Sequence, residues 1–260
     1  MAHVFRVCWI QSSAIFLPSP KENCEPDQQK QGRGTEDCDL ERIRYSGSVI
    51  RNVICDWSGT LVDDLPAVLA ATNEVLKRAG QPALTEEEFR EKFELPFLNF
   101  YRRLTPHLSL EQIETWFHAE FARMQHLIRP LPHAREFLQF AKENGMQTFV
   151  LSSVHPRYLE RQAEALGLRP WLDHLEAGAI DKRKELPRLL QEQRLEPGET
   201  LFVGDMEHDI DAAHVAGVYA CAVLTGYQSA DKLRARRPHW MVEDLAALEK
   251  RLREIVGTQV

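Results

Sequence analysis

The chain has 260 residues, of which 43% are hydrophobic and 27% charged, and its 32 basic and 39 acidic side chains leave a net charge of −7. This is the composition of an ordinary globular protein with length enough for a substantial core. The acidic balance excludes a general attraction to nucleic acid or anionic membrane, and no apolar run reaches the roughly 18 residues that a spanning helix needs.

Residues 1–48 differ in character from the rest of the chain. From Pro18 to Thr35 the chain is polar without apolar periodicity, so it cannot offset chain entropy by burial, and a disordered leader is expected. The milder stretch 4–17 is interrupted by Arg6, Gln11, Ser12 and Ser13 and lacks a clean small-x-small cleavage site, which argues against a signal peptide. Cys8, Cys24 and Cys38 lie here, whereas Cys55 and Cys221 sit in apolar runs and read as buried free thiols. Five cysteines without paired spacing fit neither a disulfide framework nor a zinc site, and a reducing, cytoplasmic setting is expected.

A β-branched run over 48–55 predicts a buried strand that stops at Asp56. Beyond the Ser58-Gly59-Thr60 turn, Pro66 and Gly80 bracket a helix over 66–79. Thr85 with Glu88, and Ser109 with Gln112, have the capping-box spacing that opens two more helices. Residues 67–129 therefore read as all helical. From Pro130 the pattern alternates: helix 134–144, strand 146–151, helix 156–166, helix 184–193, strand 200–203, helix 209–216 and strand 219–224. Such alternation predicts an α/β fold, a parallel sheet covered on both faces, built from 49–66 and 130–260 with a second helical lobe inserted at 67–129.

Parallel sheets bind ligands beyond the carboxyl ends of their strands. Three predicted strands end in polar residues there: Asp56, Ser152 and Gly204-Asp205, with Asp209 one helical turn further on. Taken singly, Asp205 and Asp209 are ordinary helix N-caps and Asp56 an ordinary turn residue. Gathered at one edge, three carboxylates make a hard-oxygen site suited to Mg²⁺ and a phosphate.

These residues carry a resemblance. Ile54-Cys55-Asp56-Trp57-Ser58-Gly59-Thr60 resembles the first motif of the haloacid dehalogenase superfamily, Asp-x-Asp-Gly-Thr after an apolar strand. Leu151-Ser152 is similar to its second motif, and Gly204-Asp205 with Asp209 to its fourth. The third motif is a lysine, for which Lys182 and Lys184 compete; the register to Pro197-Gly198-Glu199-Thr200 favours Lys182. The resemblance covers about 49–226 and is nearest to phosphoglycolate-phosphatase-like members. It implies a Rossmann-like three-layer core with an inserted all-α cap domain at 67–129. It also implies a hydrolase of a small phosphorylated metabolite, with Asp56 the nucleophile, Ser152 and Lys182 the other catalytic residues, and Mg²⁺ held by Asp56, Ser58, Asp205 and Asp209. Ser58 would contribute its carbonyl. No nucleic acid or membrane partner is implied, and no oligomeric state is set.

One position departs from the motif: Ser58 stands where the family's second aspartate protonates the leaving group. Serine is no base near neutral pH without a helper, and general acid–base catalysis is typically worth about 10²- to 10⁴-fold. The substitution leaves three readings: a phosphatase with a weakened acid–base step; a phosphonatase- or dehalogenase-type cleavage of a carbon–heteroatom bond; and a non-catalytic phosphate-binding protein. Phosphonoacetaldehyde hydrolases share Asp-Trp-x-Gly-Thr but need a cap lysine, and Phe97 occupies its aligned position, with only Lys77 and Lys92 present in 67–129. Dehalogenases use no metal, which leaves Asp205 and Asp209 without a role.

Overall fold

A computed structural model describes residues 49–256 apart from Pro96 and His155; the leader expected over 1–48 lies outside the described residues. Six strands form one parallel sheet: β1 (Asn52–Cys55), β4 (Gln147–Leu151), β5 (His174–Glu176), β6 (Thr200–Gly204), β7 (Tyr219–Val223) and β8 (Trp240–Val242), in the order β5-β4-β1-β6-β7-β8. The chain builds leftward from β1 to β5, then returns to place β6 on the other side of β1. This is a reversal of strand order, and it opens a crevice at the carboxyl ends of β1 and β6. The central strands read as continuous apolar runs because both faces are covered.

On one face Ile54, aligned with Phe149 and Phe202, packs against helices α7 (Lys182–Gln193) and α8 (Glu207–Ala216) through Leu186, Leu189, Leu190, Ile210 and Ala213. Alternation turns Val53, Cys55, Val150 and Val203 to the other face, where α5 (Ala134–Glu143) contacts β4 and α10 (Leu245–Val256) contacts β8. Cys55 and Cys221 are buried free thiols, and burial pushes the Cys221 thiol up to about 12.

Between β1 and β4 the chain runs through β2 (Val62–Asp63), four helices, and β3 (Arg129–Pro130), which pairs antiparallel with β2. The helices are α1 (Leu65–Arg78), α2 (Glu86–Lys92), α3 (Phe97–Leu104) and α4 (Leu110–Met124). Both expected capping boxes form, at Thr85–Glu88 and Ser109–Gln112. Phe89 lies at the centre of the insertion, with Phe93 stacked at 4.8 Å and Phe100 edge-on at 5.7 Å. The stretch around residues 95–101 forms α3, whose Phe100 and Tyr101 are buried in that cluster. Met206, after β6, and Tyr227, after β7, join the same cluster.

The remaining helices are α6 (Pro156–Ala165) and α9 (Ala230–Ala235). The sequence did not announce β5, β8 or the β2–β3 pair. Each has only two or three residues and rests on pairing with distant chain rather than on a local pattern. Helix α7 begins at Lys182 rather than Lys184, because the Asp181 side chain accepts from Arg183 N and caps it. Helix α8 begins two residues before the expected Asp209. Among the described residues no helix is long and apolar enough to cross a membrane.

Candidate active site

Strands β4, β1 and β6 lie side by side, and each ends in a polar residue: Ser152, Asp56 and Asp205. Asp56 N donates to the Val203 carbonyl at 2.8 Å, so its backbone is held by the ladder itself. Its Oδ1 accepts from Trp57 N at 2.6 Å and lies 2.8 Å from Lys182 Nζ. Lys182 Nζ also donates to Asp209 Oδ1 at 2.7 Å. All three side chains are buried, whereas Lys184 is exposed and lies 3.9 Å from Asp181.

A cation on the first residue of a helix opposes the helix dipole. Burial also works against the Lys182 charge, but Asp209 and Asp56 outweigh it and hold the ammonium pKa above its ordinary value. Burial pushes the Asp56 carboxyl up to about 7 despite the attraction of Lys182. The Asp209 Oδ2 accepts from Met206 N at 3.0 Å, so this residue both caps α8 and meets Lys182.

Asp205 is wholly buried and forms no ion pair among the described residues. Oδ1 accepts from Thr60 Oγ1 at 3.0 Å and Oδ2 from Tyr227 N at 2.8 Å. Burial first, and then the charges of Asp56 and Asp209, raise its pKa well above the usual carboxylate range. Two glycines admit it. A Cβ on Gly59 would lie 2.5 Å from Asp205 Oδ2, and one on Gly226 only 1.9 Å away. Gly59 also has φ +75°, which turns the chain immediately after the first strand.

One carboxylate oxygen from each of Asp56, Asp205 and Asp209 lies within 4.8 Å of the others. The donors are hard oxygens, and three carboxylates against one ammonium leave a buried excess of negative charge. That donor set fits a divalent cation of the Mg²⁺ class.

The structure thus brings Asp56, Lys182, Asp205 and Asp209 together. Ser152, 1% exposed, is next door at the end of β4; its N donates to the Glu176 carbonyl at 2.9 Å, and its Oγ accepts from Val154 N at 3.2 Å. Ser58 is half-buried in the loop after Asp56, and its hydroxyl donates to Asp64 Oδ2 at 2.7 Å.

Two residues carried little signal in the sequence. Asp64 precedes a helix and so reads locally as an N-cap; Tyr227 stands just beyond the turn after β7, and that position was its only mark. Tyr227 OH donates to Asp64 Oδ1 at 2.7 Å, and its ring lies 5.5 Å from that of Phe93. Burial pushes Asp64 up to about 6. Trp57 is fully buried and donates its indole N–H to Gln162 Oε1 at 2.9 Å. Other charged residues are paired elsewhere, Arg103 with Glu94, Arg234 with Asp231 and Arg236 with Glu207, while His208, next to Asp209 in the chain, has its Nε2 3.4 Å from Asp181.

Known proteins resemble this chain in sequence and in fold. The phosphoglycolate phosphatase of Synechococcus elongatus is 26% identical over 195 residues, covering 74% of this chain and 92% of its own length. That of Pseudomonas putida is 25% identical over 218 residues, covering 78% and 80%. Among solved structures, a haloacid dehalogenase-like family hydrolase from Streptococcus pneumoniae superposes with a TM-score of 0.67 at 18% identity, over 80% of this chain and 98% of that one, a likeness of fold. The family model for haloacid dehalogenase-like hydrolases matches residues 53–223, a span that reaches from β1 to β7 and holds the helical insertion and all four clustered side chains, and the chain belongs to that family.

Proposed function

We propose that the protein hydrolyses a small phosphate monoester through a phosphoryl group carried on Asp56, with Mg²⁺ as the cation, and that 67–129 is the cap over a core made of 49–66 and 130–260. The observation that carries this reading is the buried cluster of Asp56, Lys182, Asp209 and Asp205 at the adjoining ends of β1 and β6. Asp56 is the one carboxylate of the three that both ends the central strand and faces Lys182, the position of a nucleophile attacking phosphorus. Lys182 lowers the repulsion between that carboxylate and an anionic phosphate. Ser152 and nearby backbone amides offer hydrogen bonds to phosphoryl oxygens. Asp205 and Asp209, with Asp56 and the Ser58 carbonyl, would hold the cation, which supplies charge neutralisation at the phosphoryl oxygens.

The relatives named phosphoglycolate phosphatase support a phosphate ester as substrate, and 2-phosphoglycolate is the first compound to try. A phosphonatase reading finds no support in the insertion: Lys77 and Lys92 are surface residues in contact with Glu74 and Glu88. The test is hydrolysis of p-nitrophenyl phosphate, acetyl phosphate and 2-phosphoglycolate with and without Mg²⁺. Asp56→Asn and EDTA should each abolish turnover; equal rates for wild type and Asp56→Asn would overturn the proposal.

A further inference from the structure

The loop after Asp56 lacks the carboxylate of the family motif, yet a carboxylate from elsewhere reaches the Ser58 hydroxyl. Asp64 stands at the N-cap position of α1, and its side chain makes no capping hydrogen bond. An N-cap bond stabilises a helix, so a side chain that forgoes it is spent on other partners. Both oxygens are spent on hydroxyls, Oδ2 on Ser58 and Oδ1 on Tyr227, each at 2.7 Å, and the carboxyl is buried. A carboxylate only accepts, so the single hydrogen of Ser58 is committed to Asp64. Ser58 Oγ, two residues beyond Asp56, is left with lone pairs alone. Its next partner must be a donor.

We infer that Asp64 is a positioning residue: it fixes the Ser58 hydroxyl as a hydrogen-bond acceptor for the water that hydrolyses the phosphorylated Asp56. The inference rests on the aspartyl-phosphate reading of the site and supplies the helper that Ser58 lacks in the sequence. In that step the water oxygen bonds phosphorus, and the bond from phosphorus to the Asp56 oxygen breaks with its electron pair returning to the carboxylate. Both water hydrogens leave on the phosphate product. Tyr227 steadies Asp64 from the other side while its backbone N–H holds Asp205, so the water acceptor and a cation ligand share one support.

The test uses radiolabelled acetyl phosphate with Mg²⁺, because acetate leaves without a proton and phosphorylation then needs no acid. Acid quenching traps the phosphoenzyme, and its decay after a chase gives the hydrolysis rate. Asp64→Ala removes both acceptor oxygens, so the Ser58 hydrogen is free to turn toward the water. Decay should slow by roughly 10- to 100-fold in Asp64→Ala and in Ser58→Ala, at or below the lower end of what proton-handling groups contribute. The rate of phosphoenzyme formation should stay within about threefold. Because Asp64 acts through Ser58, the double variant should decay no more slowly than Ser58→Ala alone. Ser58→Thr, which keeps the hydroxyl, should restore decay.

Wild-type decay in either single variant, multiplying effects in the double variant, or a loss confined to phosphoenzyme formation would each overturn the inference. If Asp64→Ala fails to fold, Ser58→Ala and its threonine rescue decide the matter alone. Failure of the underlying reading looks different: wild type forms no phosphoenzyme and matches Asp56→Asn, and both proposals then fall.

Discussion

Replacing Gly226 by alanine tests the carboxylate cluster without touching any charged residue. The backbone at Gly226 is outside the left-handed region, so alanine meets no conformational penalty there. The penalty is steric. Its Cβ would lie 1.9 Å from Asp205 Oδ2, 2.2 Å from Cγ and 2.4 Å from Cβ, where real contacts stay beyond 3.0 Å. Relief needs a shift of at least about 1 Å, and overpacking of a tight interior costs typically about 1–3 kcal/mol. A shift of Asp205 also weakens its bonds from Thr60 Oγ1 and Tyr227 N, hydrogen bonds worth about 0.5–1.5 kcal/mol each. Partial loss of these brings the expected destabilisation to about 2–4 kcal/mol, or a fall in Tm of roughly 5–15 °C for a domain of this size. Gly198→Ala is the control: its Cβ meets nothing within 4 Å, and its Tm should stay within about 2 °C of wild type. Thermal melts with EDTA and with MgCl₂ read both effects, because a ligand bound only to the native state raises Tm. Gly226→Ala should lose most of the Mg²⁺-induced rise that Gly198→Ala retains. A Gly226→Ala protein that melts with wild type and responds equally to Mg²⁺ would refute the argument that Asp205 is held in place by the glycine gap.

Lys182→Ala strands two buried carboxylates, and urea unfolding in EDTA should show a loss of about 3–5 kcal/mol; a loss under 1 kcal/mol would mean that Asp56 and Asp209 do not depend on it. Burial lifts Asp64 from 3.8 in the unfolded chain to about 6 in the folded one, so the unfolded state ionises first as pH rises. Its contribution is therefore neutral below about pH 4 and destabilising by up to roughly 3 kcal/mol above pH 6. Metal-free wild type should accordingly lose stability relative to Asp64→Asn across that window in urea melts; a gap that does not change with pH would contradict the raised carboxyl. Phe89→Ala empties a fully buried site among Phe93, Phe100 and Tyr227 and should cost about 3–5 kcal/mol by the same melts, against less than 1 if the cluster collapses onto the gap.

Asp56, Ser152, Asp205 and Asp209 could be found from the sequence because their signal is local. Apolar β-branched runs that stop at an aspartate or serine mark strand ends, and parallel sheets present strand ends to ligands. The two capping boxes and the helix-stopping glycines are equally local, since each is settled within four residues of chain. Lys182 was legible only by register: the local pattern started its helix at Lys184, and the Asp181 cap together with two distant carboxylates drew Lys182 into the helix and into the interior. The short edge strands β5 and β8 had no comparable signal, because three residues in a strand owe their conformation to the neighbour they pair with.

The sequence by itself thus determined the elements, the alternation that makes a parallel sheet, and the polar residues at the carboxyl ends of its strands. Tertiary structure alone decided what those residues touch. Asp64 is by local rule a helix cap, yet Tyr227, 163 positions away, and the Ser58 loop compete for its oxygens and win, because the strand order brings the turn after β7 beside the loop after β1. The same approach sets Gly226 against Asp205 and Thr225 Oγ1 against the Gly59 carbonyl at 2.7 Å. Periodicity and capping act over a few residues and survive in any window of sequence. The choice of hydrogen-bond partner at a buried carboxylate depends on which loops the sheet stacks together, and that is fixed by contacts across the whole chain.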